Sequence, residues 1–253
     1  MSSMAPIAIV TGGDRGLGLS MVRHLAQHGV DIILTYRSNL EGAQAAEKEL
    51  ADMGRRAKTL HLDVAETSSF SDFTSAVAET LKIWGAPSFN FLVNNAGIGI
   101  HASLMETTEA QFDSLVNIHL KGVFFLTQKL LPLMADGGRI LNISSGLTRF
   151  ALPGYAAYAA VKGAIEVLTR YQAVELAERK ITVNTLAPGA IETDFGGGAV
   201  RDNKDINGYI ASVTALGRAG LPDDIGRVVA ALLGPDMGWV NAQRIEASGG
   251  MKL

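Results

Sequence analysis

Short β-branched and apolar runs alternate along this chain with longer stretches whose apolar positions recur at helical spacing. Ile7–Thr11 (IAIVT) reads as a first strand, Asp31–Tyr36 (DIILTY) as a second, Lys58–Val64 (KTLHLDV) as a third and Phe89–Asn95 (FNFLVNN) as a fourth. Arg139–Ser145, Ile181–Pro188 and Ala242–Gly250 continue the series to a seventh. Strand–helix alternation of this kind predicts an α/β fold, a doubly wound parallel sheet with helices on both faces.

Local signals mark the breaks. Thr108-Glu109-Ala110-Gln111 fits a capping box opening a helix. Pro222-Asp223-Asp224 fits a helix start with proline in the first turn, and Gly54, Gly85 and Gly234 stand where helical patterns end. There is no linker, repeat or low-complexity tract, so residues 1–253 are read as a single domain. The one Gly-rich irregular region is Phe195–Asn207. Long loops in compact domains often act as lids, which places a substrate lid around 194–215. Val116–Met134 is apolar on more than one stripe, whereas a surface helix is apolar on one side only. Either it is buried between sheet and loops, or it also buries a face against another subunit; its place outside the sheet favours the second.

Composition narrows the function classes. Of 253 residues, 47% are hydrophobic and 19% charged, enough for a large core and against disorder. With 22 basic and 25 acidic residues the net charge is −3, which offers no bulk attraction to nucleic acid or an anionic membrane. Aromatic and basic residues do not interleave as in nucleic-acid binders. Cysteine is absent, which excludes disulfides, thiolate nucleophiles and Cys-ligated zinc. The start, MSSMAPIAIVTGG, lacks a basic n-region, and no apolar run approaches the ~20 residues of a membrane span. A soluble, cytoplasmic protein is expected.

Two stretches carry chemistry. TGGDRGLG (Thr11–Gly18) follows the first strand and opens a helix. Gly12 permits a tight turn, and Gly16 and Gly18 let the backbone approach a pyrophosphate at the helix N-terminus. YAAYAAVK (Tyr155–Lys162) holds two tyrosines. On a helix, residues four apart share a face, so Tyr158 meets Lys162 while Tyr155 meets only Ala159. A free phenol, with a pKa of about 10, is a poor proton donor–acceptor at neutral pH. A neighbouring ammonium is expected to lower that value.

The Gly-x-x-x-Gly-x-Gly spacing resembles the first turn of the short-chain dehydrogenase/reductase family. Further marks follow in order: Asn94-Asn95-Ala96-Gly97, Asn117, Ser145, Tyr158-x-x-x-Lys162, and Pro188-Gly189 with Thr193. They span nearly the whole chain. The resemblance implies a Rossmann-type sheet of seven strands and four functional residues, Asn117, Ser145, Tyr158 and Lys162. Ser145 would orient a substrate carbonyl and Tyr158 would give it a proton. Lys162 would lower the tyrosine pKa and hold the nicotinamide ribose. Asn117 would hold a water linking Lys162 to solvent. The resemblance also implies cofactor contacts from Gly12, Gly16, Leu17, Gly18, Asp63, Val64, Asn95, Ala96, Gly97, Pro188, Gly189, Ile191 and Thr193.

The second strand ends Thr35-Tyr36-Arg37-Ser38, with no acid to bind a ribose 2′-OH. Arg37, Ser38 and Arg15 instead suit a 2′-phosphate, so NADP(H) is the expected cofactor. Phe150, Leu152, Tyr155 and Phe195, near the expected site, predict a pocket for an apolar or aromatic ketone or aldehyde. The branch most resembled contains 3-oxoacyl-carrier-protein reductases and carbonyl reductases. Asp136 stands where a carrier-protein reductase presents a base, though Arg179 and Lys180 offer another contact. The expectation is an NADPH-dependent carbonyl reductase, a homotetramer by resemblance, acting on a free substrate; carrier-bound substrate remains the alternative. A non-catalytic NADP-binding regulator would lack the tyrosine–lysine pair, and a sugar-nucleotide epimerase would need a larger C-terminal region. His24 and His28 have metal-ligand spacing but no further ligands, and no metal is expected.

Overall fold

The structure, a computed structural model, describes residues 4–253. Its strands are β1 Ile7–Val10, β2 Asp31–Tyr36, β3 Ala57–His61, β4 Phe89–Asn94, β5 Met134–Ile143, β6 Thr182–Pro188 and β7 Arg244–Ala247. They form one sheet in the order β3-β2-β1-β4-β5-β6-β7, with every neighbouring pair parallel. The helices are α1 Gly16–Gln27, α2 Leu40–Asp52, α3 Phe70–Ile83, α4 Glu109–Val116, α5 Gly122–Leu130, α6 Ala156–Glu175, α7 Ala199–Asp202, α8 Lys204–Ser212 and α9 Pro222–Leu233.

Strand periodicity sorts the core into two layers. On β1, Ala8 and Val10 face one side with Val22 and Leu25 of α1 and Val229 of α9. Ile7 and Ile9 face the other with Phe73 and Val77 of α3, Leu126 of α5 and Ala173 of α6. Both faces are covered, as an all-parallel sheet requires. The strand order reverses between β1 and β4, which opens a crevice at the carboxyl ends of the central strands. Buried amides brace that edge. Asn94 Nδ2 donates to Asn142 Oδ1 at 2.8 Å, and Asn142 Nδ2 donates to Thr169 Oγ1 and Gln172 Oε1 at 2.9 Å. Each bond joins a strand to its neighbour or to α6, so these polar groups fix register without being left unpaired.

The expected capping box is present: Gln111 N donates to Thr108 Oγ1, and Thr108 N donates to Gln111 Oε1. Pro222 opens α9 as expected. Three expectations change. First, β5 begins at Met134 rather than Arg139, because Met134 pairs with Phe89 and an irregularity between Phe89 and Phe91 absorbs the change of register. Second, Val116–Met134 is not one continuous helix. A π-helical turn, Asn117–Lys121, separates α4 from α5, with the Gly122 N–H donating to the Asn117 carbonyl. Third, Phe195–Asn207 is irregular at Gly196, Gly197 and Gly198, which have φ of 61°, 75° and 78°, and again at Asn203, which is extended between α7 and α8. Beyond them the Asn203 side chain accepts from the Asp205 and Ile206 N–H groups and starts α8.

Candidate active site

The crevice is a cavity of about 820 Å³ that runs from Arg37, past the glycine turn, to Tyr158 and Phe195. At one end, β1 passes into α1 through Thr11–Arg15. Gly12 and Gly16 adopt φ of 65° and 53°, which side-chain-bearing residues rarely take. A Cβ on Gly18 would lie 1.9 Å from the Gly12 carbonyl oxygen, so only glycine lets α1 start this close to the turn. Thr11 Oγ1 accepts from the Asn95 and Ala96 N–H groups, both at 2.9 Å. The Asn95 amide donates to Thr11 O at 2.8 Å and Gly12 O at 3.2 Å. Asn95 thereby ties the end of β4 to the turn, a bracing contact the motif alone does not reveal.

This end fits a dinucleotide on its own geometry. No side chain caps the N-terminus of α1, so its leading N–H groups face the cavity uncompensated. Above Gly16 the nearest atoms to an added Cβ are those of Thr193, 3.7 Å away. Arg15, Arg37 and Ser38 line the same end and are exposed, and neither arginine pairs with a carboxylate among the described residues. Leu17, Asp63, Val64, Gly97, Pro188, Gly189 and Ile191 also line the cavity, as expected.

At the other end stand Ser145, after β5, and Tyr158 and Lys162 on α6. Ser145 Oγ accepts from the Leu147 N–H at 3.2 Å, which leaves its own proton free to donate. Neighbouring Ser144 instead donates to Glu166 Oε1 at 2.8 Å, a structural engagement. Tyr158 and Lys162 are buried. Lys162 Nζ donates to the Ile143 carbonyl at 2.8 Å and lies 5.7 Å from the Tyr158 ring centroid. Burial pulls the Lys162 ammonium down to about 7. Burial also pushes the Tyr158 phenol up, while its hydrogen bond with the Ser145 hydroxyl acts in the opposite direction. The expected lowering of the phenol by Lys162 is therefore not what this structure has. The lysine is itself drawn towards neutrality and turned to a backbone carbonyl, and desolvation dominates both groups.

Aromatic rings enclose the tyrosine. Tyr155 lies 6.5 Å away and Phe195 5.8 Å, centroid to centroid. Tyr155 stacks edgewise on His101 and is a wall of the cavity, together with Phe150 and Leu152. Phe195 also reaches Gly99, where a Cβ would stand 2.6 Å from its ring.

Asn117 is the one expected site residue that the structure does not bring to the cavity. Its carbonyl is taken by Gly122 in the π turn. His119, two residues on and so on the other side of the helix, lines the cavity instead. It packs edgewise on Tyr158, with centroids 5.4 Å apart and planes at 88°. The helical phase around a π turn cannot be counted from residue spacing, so no sequence signal picked out this histidine.

Several charged residues turn out to be engaged elsewhere. Arg149 forks onto Glu246 at 2.7 and 2.8 Å and bonds the Met251 and Lys252 carbonyls, which secures the C-terminus. Arg179 pairs with Asp136 and the Leu131 carbonyl at the amino-end edge of β5, opposite the cavity. His24 meets Asp223 at 3.3 Å, and His28 Nδ1 bonds the His24 carbonyl.

Comparison with known proteins gives concordant matches. A family model described as "Enoyl-(Acyl carrier protein) reductase" matches residues 12–252. A hydroxynaphthalene reductase-like protein of Metarhizium brunneum is 34% identical over 255 residues, spanning 96% of this chain and 94% of its own. The angucycline C-6 ketoreductase LanV, solved with bound NADP, is 32% identical with a TM-score of 0.92, over 98% of this chain and 95% of that one. LugOII, a promiscuous reductase that catalyses keto-reduction at C1 during lugdunomycin biosynthesis, is 34% identical with a TM-score of 0.92, over 98% of each chain.

Proposed function

The chain belongs to the short-chain dehydrogenase/reductase family, and from that premise we propose that it is an NADPH-dependent ketoreductase acting on an aromatic or otherwise apolar ketone. The observation that carries this reading is the single cavity, with an anion-ready glycine turn and two uncompensated arginines at one end and the Ser145–Tyr158–Lys162 group at the other.

In this reading the turn and the α1 N-terminus hold the pyrophosphate, and Arg37, Ser38 and Arg15 hold the 2′-phosphate. Asp63 and Val64 flank the adenine, and Asn95, Ala96 and Gly97 flank the ribose. Pro188, Gly189, Ile191 and Thr193 hold the carboxamide end. When bound, the reduced nicotinamide supplies the hydride for the carbonyl carbon. Ser145 donates a hydrogen bond to the carbonyl oxygen and fixes its place. Tyr158 gives its proton to that oxygen as negative charge builds there. The raised phenol pKa keeps Tyr158 protonated for this step, and Lys162 holds the nicotinamide ribose. Apolar walls at Phe150, Leu152, Tyr155 and Phe195 exclude water from the reacting carbon.

The hydroxynaphthalene reductase and angucycline ketoreductase likenesses support a ring ketone. A carrier-bound 3-oxoacyl substrate is the second reading, favoured by the description of the family model. Against it, Arg149 is engaged with Glu246, and Arg179 is engaged with Asp136 on the side opposite the cavity, so neither is offered to an acidic carrier there. NADPH oxidation with a bicyclic aryl ketone, set against an acetoacetyl thioester, tests the choice. A higher kcat/KM on the ketone is expected, and preference for the thioester reverses the assignment.

We read residues 1–253 as one domain and the segment around 194–215 as a lid, since Phe195 lies over Tyr158. A homotetramer is proposed because Phe112, Phe124 and Phe125, with Tyr171 and Val174 of α6, leave apolar side chains exposed. Sedimentation as a monomer would remove that reading. No helix among the described residues is long and apolar enough to cross a membrane, and a cytoplasmic location is proposed.

A further inference from the structure

Lys252 has left-handed backbone, with φ of 51°. A residue that bears a side chain keeps this conformation only where its surroundings hold it there. They do so on both sides. The Lys252 N–H donates to the Val213 carbonyl at 2.8 Å, and the Lys252 carbonyl accepts from Arg149 Nη1 at 2.9 Å. Met251 before it is buried, lines the cavity and accepts from Arg149 Nη2 at 2.6 Å. Held in this way, the Lys252 ammonium lies 5.8 Å from the Phe150 ring centroid and 5.9 Å from that of Tyr209 on α8. Both rings line the cavity, and Tyr209 is exposed, so the ammonium stands at the cavity rim.

The charges around it are already matched. Arg149 and Arg244 take Glu246, and Arg201 takes Asp194 and Asp202. Lys252 pairs with no carboxylate among the described residues. A cation left over beside apolar walls attracts an anion from outside the chain, more strongly as water is displaced around it. The two rings beneath it hold the ammonium by their faces and can flank an aromatic ligand. We propose that Lys252 is a specificity-determining residue, and that the ketone it selects carries a carboxylate on the part of its ring remote from the reacting carbonyl. A phenol would not serve, because at pH 7 an ordinary phenol, with a pKa of about 10, is neutral. The inference rests on the reductase reading and adds the substrate's charge to it. With the carbonyl at Ser145 and Tyr158 and the ring along the Phe150 wall, the carboxylate meets Lys252 at the edge between Phe150 and Tyr209.

NADPH oxidation on matched ketones tests this: tetralones bearing a carboxylate at each position of the benzo ring, and their methyl esters, with native protein, Lys252→Met and Lys252→Arg. For at least one position the native protein is expected to favour the acid over the ester by about tenfold in kcat/KM, the scale of a hydrogen bond to a charged group at a partly exposed site. Lys252→Met should bring that ratio near one, and Lys252→Arg should keep it. Added salt should lower the ratio in the native protein, as it screens an exposed charge pair. A merely structural lysine would lower acid and ester together and leave their ratio unchanged. Equal ratios in native and Lys252→Met at every position, or an effect of Lys252→Met confined to an acetoacetyl phosphopantetheine thioester, overturns the proposal. If the native protein reduces no ketone, the reductase reading fails by itself. Calorimetric binding of naphthoate in the presence of NADPH then decides the site: affinity about tenfold weaker in Lys252→Met supports it, and equal affinity overturns it.

Discussion

Lys162 makes stability depend on pH in a way that can be calculated. Its ammonium belongs near 10.5 in the unfolded chain and near 7 in the folded one, with burial as the cause. Below about pH 7 both states carry the charge, and the fold bears the full penalty of burying it. Between 7 and 10.5 the unfolded state binds more protons than the folded state, so stability rises with pH. A difference of about 3.5 units at 1.36 kcal/mol each sets a ceiling of about 5 kcal/mol. From pH 7 to 9.5 the expected gain is about 3 kcal/mol. Replacement by methionine removes the charge. It also forfeits the bond to the Ile143 carbonyl, a pH-independent loss of about 1 kcal/mol. Lys162→Met is therefore expected to be the more stable protein at pH 7, by about 3 kcal/mol, with its lead over the native protein shrinking to well under about 1 kcal/mol by pH 9.5. Urea unfolding of the cofactor-free proteins at fixed concentration, every half unit from pH 7 to 9.5, measures the difference. This window ends below the range where Tyr158, protonated in the fold, adds an opposing loss of stability as the unfolded phenol ionises. Equal pH slopes for native and variant would refute the reasoning.

The cofactor end gives two further predictions. Arg37→Asp is expected to cut the preference for NADPH over NADH by about 10- to 100-fold, from about 1.5–3 kcal/mol for a hydrogen bond to a charged group; unchanged selectivity in steady-state kinetics would mean that Arg37 is only a solvated charge. Gly18→Ala drives a methyl against the Gly12 carbonyl, 1.9 Å away, and should cost at least about 3 kcal/mol, seen as a lower Tm with loss of NADPH binding. A variant that melts and binds like the native chain would contradict the close helix approach.

The sheet was readable because its strands carry their own period. Asp31–Tyr36 matches β2 in full, since Ile32, Ile33 and Leu34 are buried between the two helical layers. β5 was misread at its start because Asp136-Gly137-Gly138 carries turn chemistry, with Gly137 at φ 75°, yet Met134 before it and Arg139 after it both pair with β4. The glycines at 196–198 hid the helices that follow, although Asn203 is an ordinary N-cap signal. Tyr158 was separable from Tyr155 by helical spacing alone, and Ser145 lines the cavity while Ser144 is bound to Glu166. What spacing could not show was desolvation, which governs Tyr158 and Lys162, and the π turn that carries His119 into the cavity in place of Asn117.

The central claim is that Tyr158 is the proton donor to a substrate carbonyl. The most direct test is single-turnover NADPH oxidation by native protein and Tyr158→Phe on one aryl ketone, with NADPH affinity measured in parallel. The account predicts a loss of about 10³-fold in rate with affinity for NADPH retained. A phenylalanine variant that reduces the ketone within tenfold of the native rate would contradict it.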